Sequence, residues 1–464
     1  MIATLRQRNF ALLWFAGLIS YAGNWMLRVA LPLYVYQQTG STLATGAMFM
    51  AGILPHLLLG SVAGVFVDRW DRKRVMVLAN LSRAAILLPL LLVPYSGWLW
   101  IVYIVAAAES TIGLFFAPAE GVLLPRLVGE DRLVTANSLN ALNNNLARLA
   151  GPPLGGAVAA FSGLAGVALA DAVTYLVGGV LISLITVTSK PPTAELDASE
   201  VGSAWTRVWT EWRDGLRLVR SERVLVVLFV MAAIFALGEG ILAALYVPFV
   251  TEVLEGDELY LGWLMSVQAV GGLLGGVVMG WVGSKVSPRA LLGVSAVLFG
   301  LIDLGIWNAR CLETPAVSAL TLALVLMVVV GAPGVGLGAG FMTLIQSSAA
   351  DEYRGRVLGA LGTTEALLLL VGLALAGVLG EVVGILPMLS MDSGLYMLAG
   401  LVGLALLPRR ASAPVLAVDS AEALGGQPGQ PCPWENPVCP LADIALVRIG
   451  ALLIALATLR DAPR

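Results

Sequence analysis

The sequence predicts an all-α polytopic membrane protein whose twelve transmembrane helices form two six-helix halves. Three observations predict it. The chain is 58% hydrophobic and only 12% charged, with a mean hydropathy of +0.88, which nearly excludes a water-soluble globule. Apolar runs of about 20 residues, each long enough to cross a hydrocarbon core, recur along it. The turns between these runs alternate in charge. Those on one side carry Arg6 and Arg8, Arg69 to Arg74, Arg126 and Arg132, Lys190 with Arg207 to Arg223, Lys285 and Arg289, Arg354 and Arg356, then Arg409 and Arg410. The opposite turns hold almost no basic residue beyond Arg310, and one is acidic through Glu252, Glu255, Asp257 and Glu258. The positive-inside rule then makes the N-terminus and the end of the last crossing cytoplasmic.

In chain order the spans read as 10–36, 43–66, 75–95, 98–124, 137–161, 164–188, 224–250, 260–283, 290–309, 316–346, 357–383 and 388–407, the long tenth containing a kink or loop. The first run is too long, with too polar a second half, for a cleaved signal peptide. Four regions follow: an N-terminal half 1–188, a cytoplasmic linker 189–223, a C-terminal half 224–407 and a tail 408–464. In the linker Trp205, Val208, Trp209, Trp212, Leu216 and Val219 recur at helical spacing among arginines. This pattern fits an amphipathic helix at the membrane interface, either as a plain linker or as a docking place for a regulatory partner. In the tail the apolar run 444–459 is short and carries Arg448, so it reads as surface-lying rather than as a thirteenth crossing.

The second and third spans are joined by Gly60-Ser-Val-Ala-Gly64-Val-Phe-Val-Asp68-Arg69-Trp-Asp71-Arg72-Lys73-Arg74. Asp68 ends a helix, where the dipole disfavours an anion, so it needs a cation or a helix N-terminus nearby. The stretch resembles the loop between helices 2 and 3 of the major facilitator superfamily, Gly-x-x-x-Asp-Arg-x-Gly-Arg-Arg/Lys. Gly64, Asp68, Arg69, Arg72 and Lys73 match, and Asp71 replaces a glycine. The resemblance implies the major facilitator fold, with these residues forming a conformational latch. A degenerate echo, Gly272, Gly276 and Gly280 followed by Lys285 and Arg289, falls at the corresponding helix pair of the second half. Such internal repeats place a transporter's substrate site between the halves near mid-membrane.

Helix 5 carries Gly151-Pro152-Pro153-Leu154-Gly155-Gly156, which resembles the family's antiporter motif. Ala147 and Ser138 stand at its two earlier glycine positions. In the family the motif accompanies export; the plain alternative is a kinked, closely packed helix. A finer resemblance rests on Ala30-Leu31-Pro32-Leu33, Thr39-Gly40-Ser41, Leu54-Pro55, Leu124-Pro125, Ala136-Asn137-Ser138-Leu139 and Arg354-Gly355-Arg356-Val357. It is similar to the subgroup of enterobactin exporters and macrolide efflux proteins. Relatives there often carry an acid where this chain has Asn24.

Charges inside membrane helices are costly and therefore functional candidates. Arg28, Glu109, Arg148, Asp171, Glu239, Asp303 and Glu365 qualify. The resemblance implies a cavity lined by helices 1, 4, 7 and 10, which selects Glu109 and Glu239 as proton carriers and Arg28 as their switching countercharge. Desolvation favours the protonated carboxyl and a nearby arginine the charged one. A static pair that fixes helix packing is the other reading. Arg148 and Asp171 are expected to form a structural pair. Asn24, Asn140 and Asn144 are candidate cavity residues, interhelical hydrogen bonding being the alternative use. Gly331, Gly334, Gly336, Gly338 and Gly340 around Pro333 suggest that helix 10 bends. His56, the only histidine, is either proton-responsive or hydrogen-bonded within the bundle. Cys311, Cys432 and Cys439 lack the histidine company of a metal site.

These features describe a secondary active transporter in the cell inner membrane, exporting small hydrophobic compounds of drug, macrolide or siderophore type by proton antiport. It is expected to work as a monomer, with no enzymatic constellation, cofactor, metal or nucleic-acid partner. An uptake carrier or lipid flippase of the same fold, and a membrane sensor or scaffold, remain the alternatives.

Overall fold

A computed structural model describes residues 2–186, 210, 212–213, 215–220, 222–349 and 351–408; the side chains of 2, 3, 61–69, 130, 284, 351 and 352 also lie outside the description. Eleven helices in it are long and apolar enough to cross a membrane. One of them, Leu133–Ser183, breaks at Gly163, where φ is 61° and ψ −163°. A hydrocarbon core needs about 20 helical residues, so this helix supplies two crossings, and the described residues hold twelve. We label them α1 (Arg8–Thr39), α2 (Thr42–Arg69), α3 (Arg72–Leu87), α4 (Trp100–Val128), α5 and α6 (the two arms of Leu133–Ser183), α7 (Arg223–Pro248), α8 (Glu258–Val282), α9 (Pro288–Trp307), α10 (Ala319–Ser348), α11 (Asp351–Val382) and α12 (Ile385–Leu406).

Local chemistry sets the ends of these helices. α1 stops at Gly40, whose left-handed φ of 60° a side chain would resist, and Ser41 caps α2 by accepting from the Ala44 amide. α2 ends at Arg69, and Asp71 caps α3 by accepting the Arg74 amide at 2.9 Å. The residue that departs from the family loop is thus an N-cap, a position that favours aspartate. Pro89 and Pro94 replace the outer part of the third span with a 3-10 segment, Leu88–Leu92, and a last turn, Val93–Ser96. The tenth span contains no loop: α10 is one continuous helix with Pro333 inside it. Some of its glycines serve close packing. Gly331 meets Gly271 of α8, and Gly340 lies on Leu292 of α9.

Most of the core is packed within each half, and the halves meet chiefly through two matching pairs, α2 with α11 and α5 with α8. Contact is concentrated at the acidic end. There Val29, Leu33 and Tyr36 of α1 share a core with Ile241, Leu245, Leu261 and Leu264. Tyr36 donates to Glu252, Gln37 donates to Glu258 at 2.8 Å, and Ser41 donates to Glu381. Thr42 of α2 donates to the Gly377 carbonyl of α11 at 2.9 Å. Toward the basic end Gly60 of α2, Gly276 and Gly280 of α8, and Gly355, Gly359 and Gly362 of α11 have nothing close to where a Cβ would be. The hydrogen bonds that join α1 to α8 and α2 to α11 thus gather at the acidic end as a clasp. Only the end of the linker lies within the described residues. Its helical residues Leu216 and Val219 pack with Leu225, Leu228, Val357 and Leu361, and Gly215 sits against Ala360. The linker aromatics before Thr210, and the tail run 444–459, lie outside the described residues.

Candidate functional site

Polar side chains collect in two networks, one inside each half. In the N-terminal half Arg83 of α3 pairs with Glu109 of α4 at 3.2 Å, their side chains 11% and 21% exposed. Gly113, one turn along α4, makes room for the guanidinium, because a Cβ there would collide with Arg83 Nη2. Tyr175 of α6 donates to Glu109 Oε1 at 2.8 Å and lies against Asn24 Oδ1. Its ring lies 5.3 Å beneath the Arg83 guanidinium, within cation–π range. Asp171, one turn before Tyr175, is fully buried and accepts from Thr174 at 2.8 Å. A second, linked set has Glu120 accepting from Tyr21 and from Asn140, both at 3.2 Å.

In the C-terminal half Glu239 of α7 is exposed, and Tyr396 of α12 donates to it across a long 3.5 Å. Asp303 of α9 and Asp392 of α12 lie behind, 3% and 0% exposed. Tyr396 stacks on Phe235 and Phe299, with ring centroids 5.1 and 4.8 Å apart.

These contacts revise several expectations. The cation beside Glu109 is Arg83, not Arg28. Arg28 instead lies over the ring of its neighbour Trp25, 4.9 Å from the centroid, and Arg148 lies 5.8 Å from the same ring. Arg148 does not pair with Asp171: it donates to Gln268 of α8 at 3.1 Å, across the two halves. Asn24 and Asn140 are engaged in the networks above, whereas Asn144 is exposed. His56 is hydrogen-bonded to Ser110 of α4 at 2.8 Å. Arg83, Glu120, Asp392 and the three tyrosines Tyr21, Tyr175 and Tyr396 escaped the sequence reading. An arginine inside an apolar run was the available signal for Arg83, and the internal repeat was the signal for Asp392.

The helix 5 glycines are packing surfaces in two directions. Gly151 and Gly155 face α1, where a Cβ would lie 2.8 Å from the Ala22 carbonyl oxygen and 2.6 Å from Met26 Cα. Gly156 faces the Glu258 carbonyl of α8, and Gly262 returns the contact, with Pro152 O only 2.5 Å from a Cβ. The motif therefore forms part of the clasp. Of the charged loop, Gly64, Asp68 and Arg69 have undescribed side chains, while Arg72 and Lys73 begin α3. Glu365 is half-buried on α11. Among the described residues no group of histidine, cysteine and acidic side chains could hold a metal ion.

The family described as transmembrane secretion effector matches residues 1–422. The multidrug efflux pump Tap of Mycolicibacterium fortuitum is 29% identical over 385 residues, which is 81% of this chain and 90% of that protein. Macrolide efflux protein A of Streptococcus pyogenes is 23% identical over 380 residues, 81% of this chain and 90% of that one. Among solved structures, a bacterial homologue of the iron transporter ferroportin in an inward-facing state superposes with a TM-score of 0.68 at 16% identity, covering 86% of this chain and 98% of its own. That likeness is one of fold.

Proposed function

We propose a function from one premise: the chain belongs to the transmembrane secretion effector family of major facilitator transporters. It is a membrane transporter and not an enzyme. On our reading it exports small, largely hydrophobic compounds by alternating access, driven by protons moving the opposite way. The observation that carries this reading is the asymmetry between the ends: the hydrogen bonds joining α1 to α8 and α2 to α11 lie at the acidic end, and glycines of α2, α8 and α11 have nothing close to them toward the basic end. With the basic end cytoplasmic, as its charge favours, the conformation is inward-facing and ready to load from the cell. The efflux function named for Tap and macrolide efflux protein A supports the outward direction.

Glu109 and Glu239 are the proton carriers in this reading, because each lies on a helix bordering the space between the halves and each is met by a tyrosine hydroxyl. Arg83 replaces Arg28 as the countercharge of Glu109. In the opposite, outward-facing state the loop of Gly64, Asp68, Arg69, Arg72 and Lys73 latches the cytoplasmic end. Expression in a bacterial host stripped of its own efflux pumps tests the reading. Lipophilic dyes and macrolides should be retained less in cells making the protein, and a protonophore should abolish the difference. Faster accumulation in those cells would instead favour uptake.

A further inference from the structure

The two halves repeat one another around the same residues, and the repeat breaks in one respect. Asp171 and Tyr175 stand eight and twelve residues beyond Gly163, and Asp392 and Tyr396 stand eight and twelve beyond Gly384. Both glycines have positive φ, 61° and 99°, and each precedes the sixth helix of its half. Each aspartate lies against a glycine on the first helix of its half: a Cβ at Gly23 would collide with Asp171 Oδ1, and one at Gly238 with Asp392 Oδ1. Each tyrosine bonds to the residue after that glycine, Asn24 in one half and Glu239 in the other.

The charges do not repeat. Arg83 lies over the Tyr175 ring, whereas Phe299 lies on the Tyr396 ring. Asn24 is replaced by Glu239, and α9 adds Asp303. The N-terminal network therefore sets one guanidinium against Glu109 and Asp171, while the C-terminal one gathers three carboxyl groups with no cation of its own. The charges acting on Asp303 are Asp392 and Glu239, and the charge acting on Asp392 is Glu239. The other groups facing the cluster are Tyr246 of α7, Tyr396 of α12 and Arg148 of α5, the last acting on Glu239. Both oxygens of Asp392, and Oδ2 of Asp303, have no hydrogen-bond partner, although the two residues are 0% and 3% exposed. Leaving a carboxylate charged that deep and without a partner is costly. Among the described residues no three histidine, cysteine or acidic side chains are grouped to hold a metal ion, and a proton suits such a carboxyl pair.

We infer that the C-terminal half carries a proton-binding site of its own on Asp303 and Asp392, with the exposed Glu239 as its entrance from the space between the halves. Each proton adds to a carboxylate oxygen, and no other bond changes. The use of this site rests on the antiport reading; its existence does not. Infrared spectroscopy of the purified full-length protein in sodium-free lipid vesicles near neutral pH tests it without any substrate. The expected spectrum contains a protonated-carboxyl C=O band that shifts in heavy water. That band loses intensity in Asp392→Asn and again in the double variant with Asp303→Asn, and added sodium leaves it unchanged. Should Asp392→Asn fail to fold, Asp303→Asn alone carries the comparison. A carboxyl band unchanged in either folded variant would overturn the inference, as would a wild-type band that sodium abolishes. Flux that ignores a pH gradient while the band persists would sink the antiport reading and leave the site standing.

Discussion

Arg83 reaches across from α3 to hold Glu109 of α4 at 3.2 Å, with Tyr175 bonded to the same carboxylate from α6. Three helices of the N-terminal half are thereby tied to one buried charge pair. Removing one partner of such a pair strands the other charge and costs about 3–5 kcal/mol. Arg83→Ala should therefore lower the thermal stability of the detergent-solubilised protein markedly, and adding Glu109→Gln to it should recover much of the loss. A melt of Arg83→Ala equal to wild type would show that the pair holds nothing together.

Asp71 offers a milder test of the helix 2–3 turn. As the N-cap of α3 it accepts the Arg74 amide, and losing a cap to alanine costs about 0.5–2 kcal/mol, to glycine only a few tenths. Asp71→Gly, which restores the residue usual in the resembling loop, should be nearly neutral in both melting and transport. Asp71→Ala should melt measurably lower.

The clasp predicts a different defect. Gly156 faces the Glu258 carbonyl of α8 with no room for a side chain, so Gly156→Val should prop the acidic end open. In a background freed of native cysteines, a cysteine placed at Gln37 should be alkylated from outside faster in this variant than without it. Transport should fall although the protein still reaches the membrane. Unchanged labelling would mean that the contact does not govern closure.

The latch is tested by Asp68→Asn, which should cripple transport while leaving the amount of protein in the membrane unaltered. Turnover at the wild-type rate would remove the loop from the mechanism.

Hydropathy and loop charge made the crossings legible because both report on single residues against a bilayer. The twelve spans, the two halves and the helix 5 packing motif were readable for that reason. Pairing was not, because it depends on which faces the packed helices turn to each other. Arg28 is one turn from Asn24 in the sequence, yet it stacks on Trp25, and Glu109 takes its cation from α3. Arg148 looked like a partner for Asp171 because their helices are consecutive, but its guanidinium crosses to Gln268 of α8. The α10 glycines were read for a bend, and the contacts of Gly331 and Gly340 with α8 and α9 were not legible beside it. Asp392 was visible only to a comparison of Gly163, Asp171 and Tyr175 with Gly384, Asp392 and Tyr396, a repeat too sparse to stand out along an apolar chain.

Purified protein in proteoliposomes under an imposed pH gradient, with substrate flux and lumenal pH followed together, tests the central claim most directly. With lipophilic dyes and macrolides as substrates, protons should move opposite to the compound, and Glu109→Gln or Glu239→Gln should uncouple the two. Substrate flux of the same rate with the gradient present, absent or reversed would contradict proton-driven export.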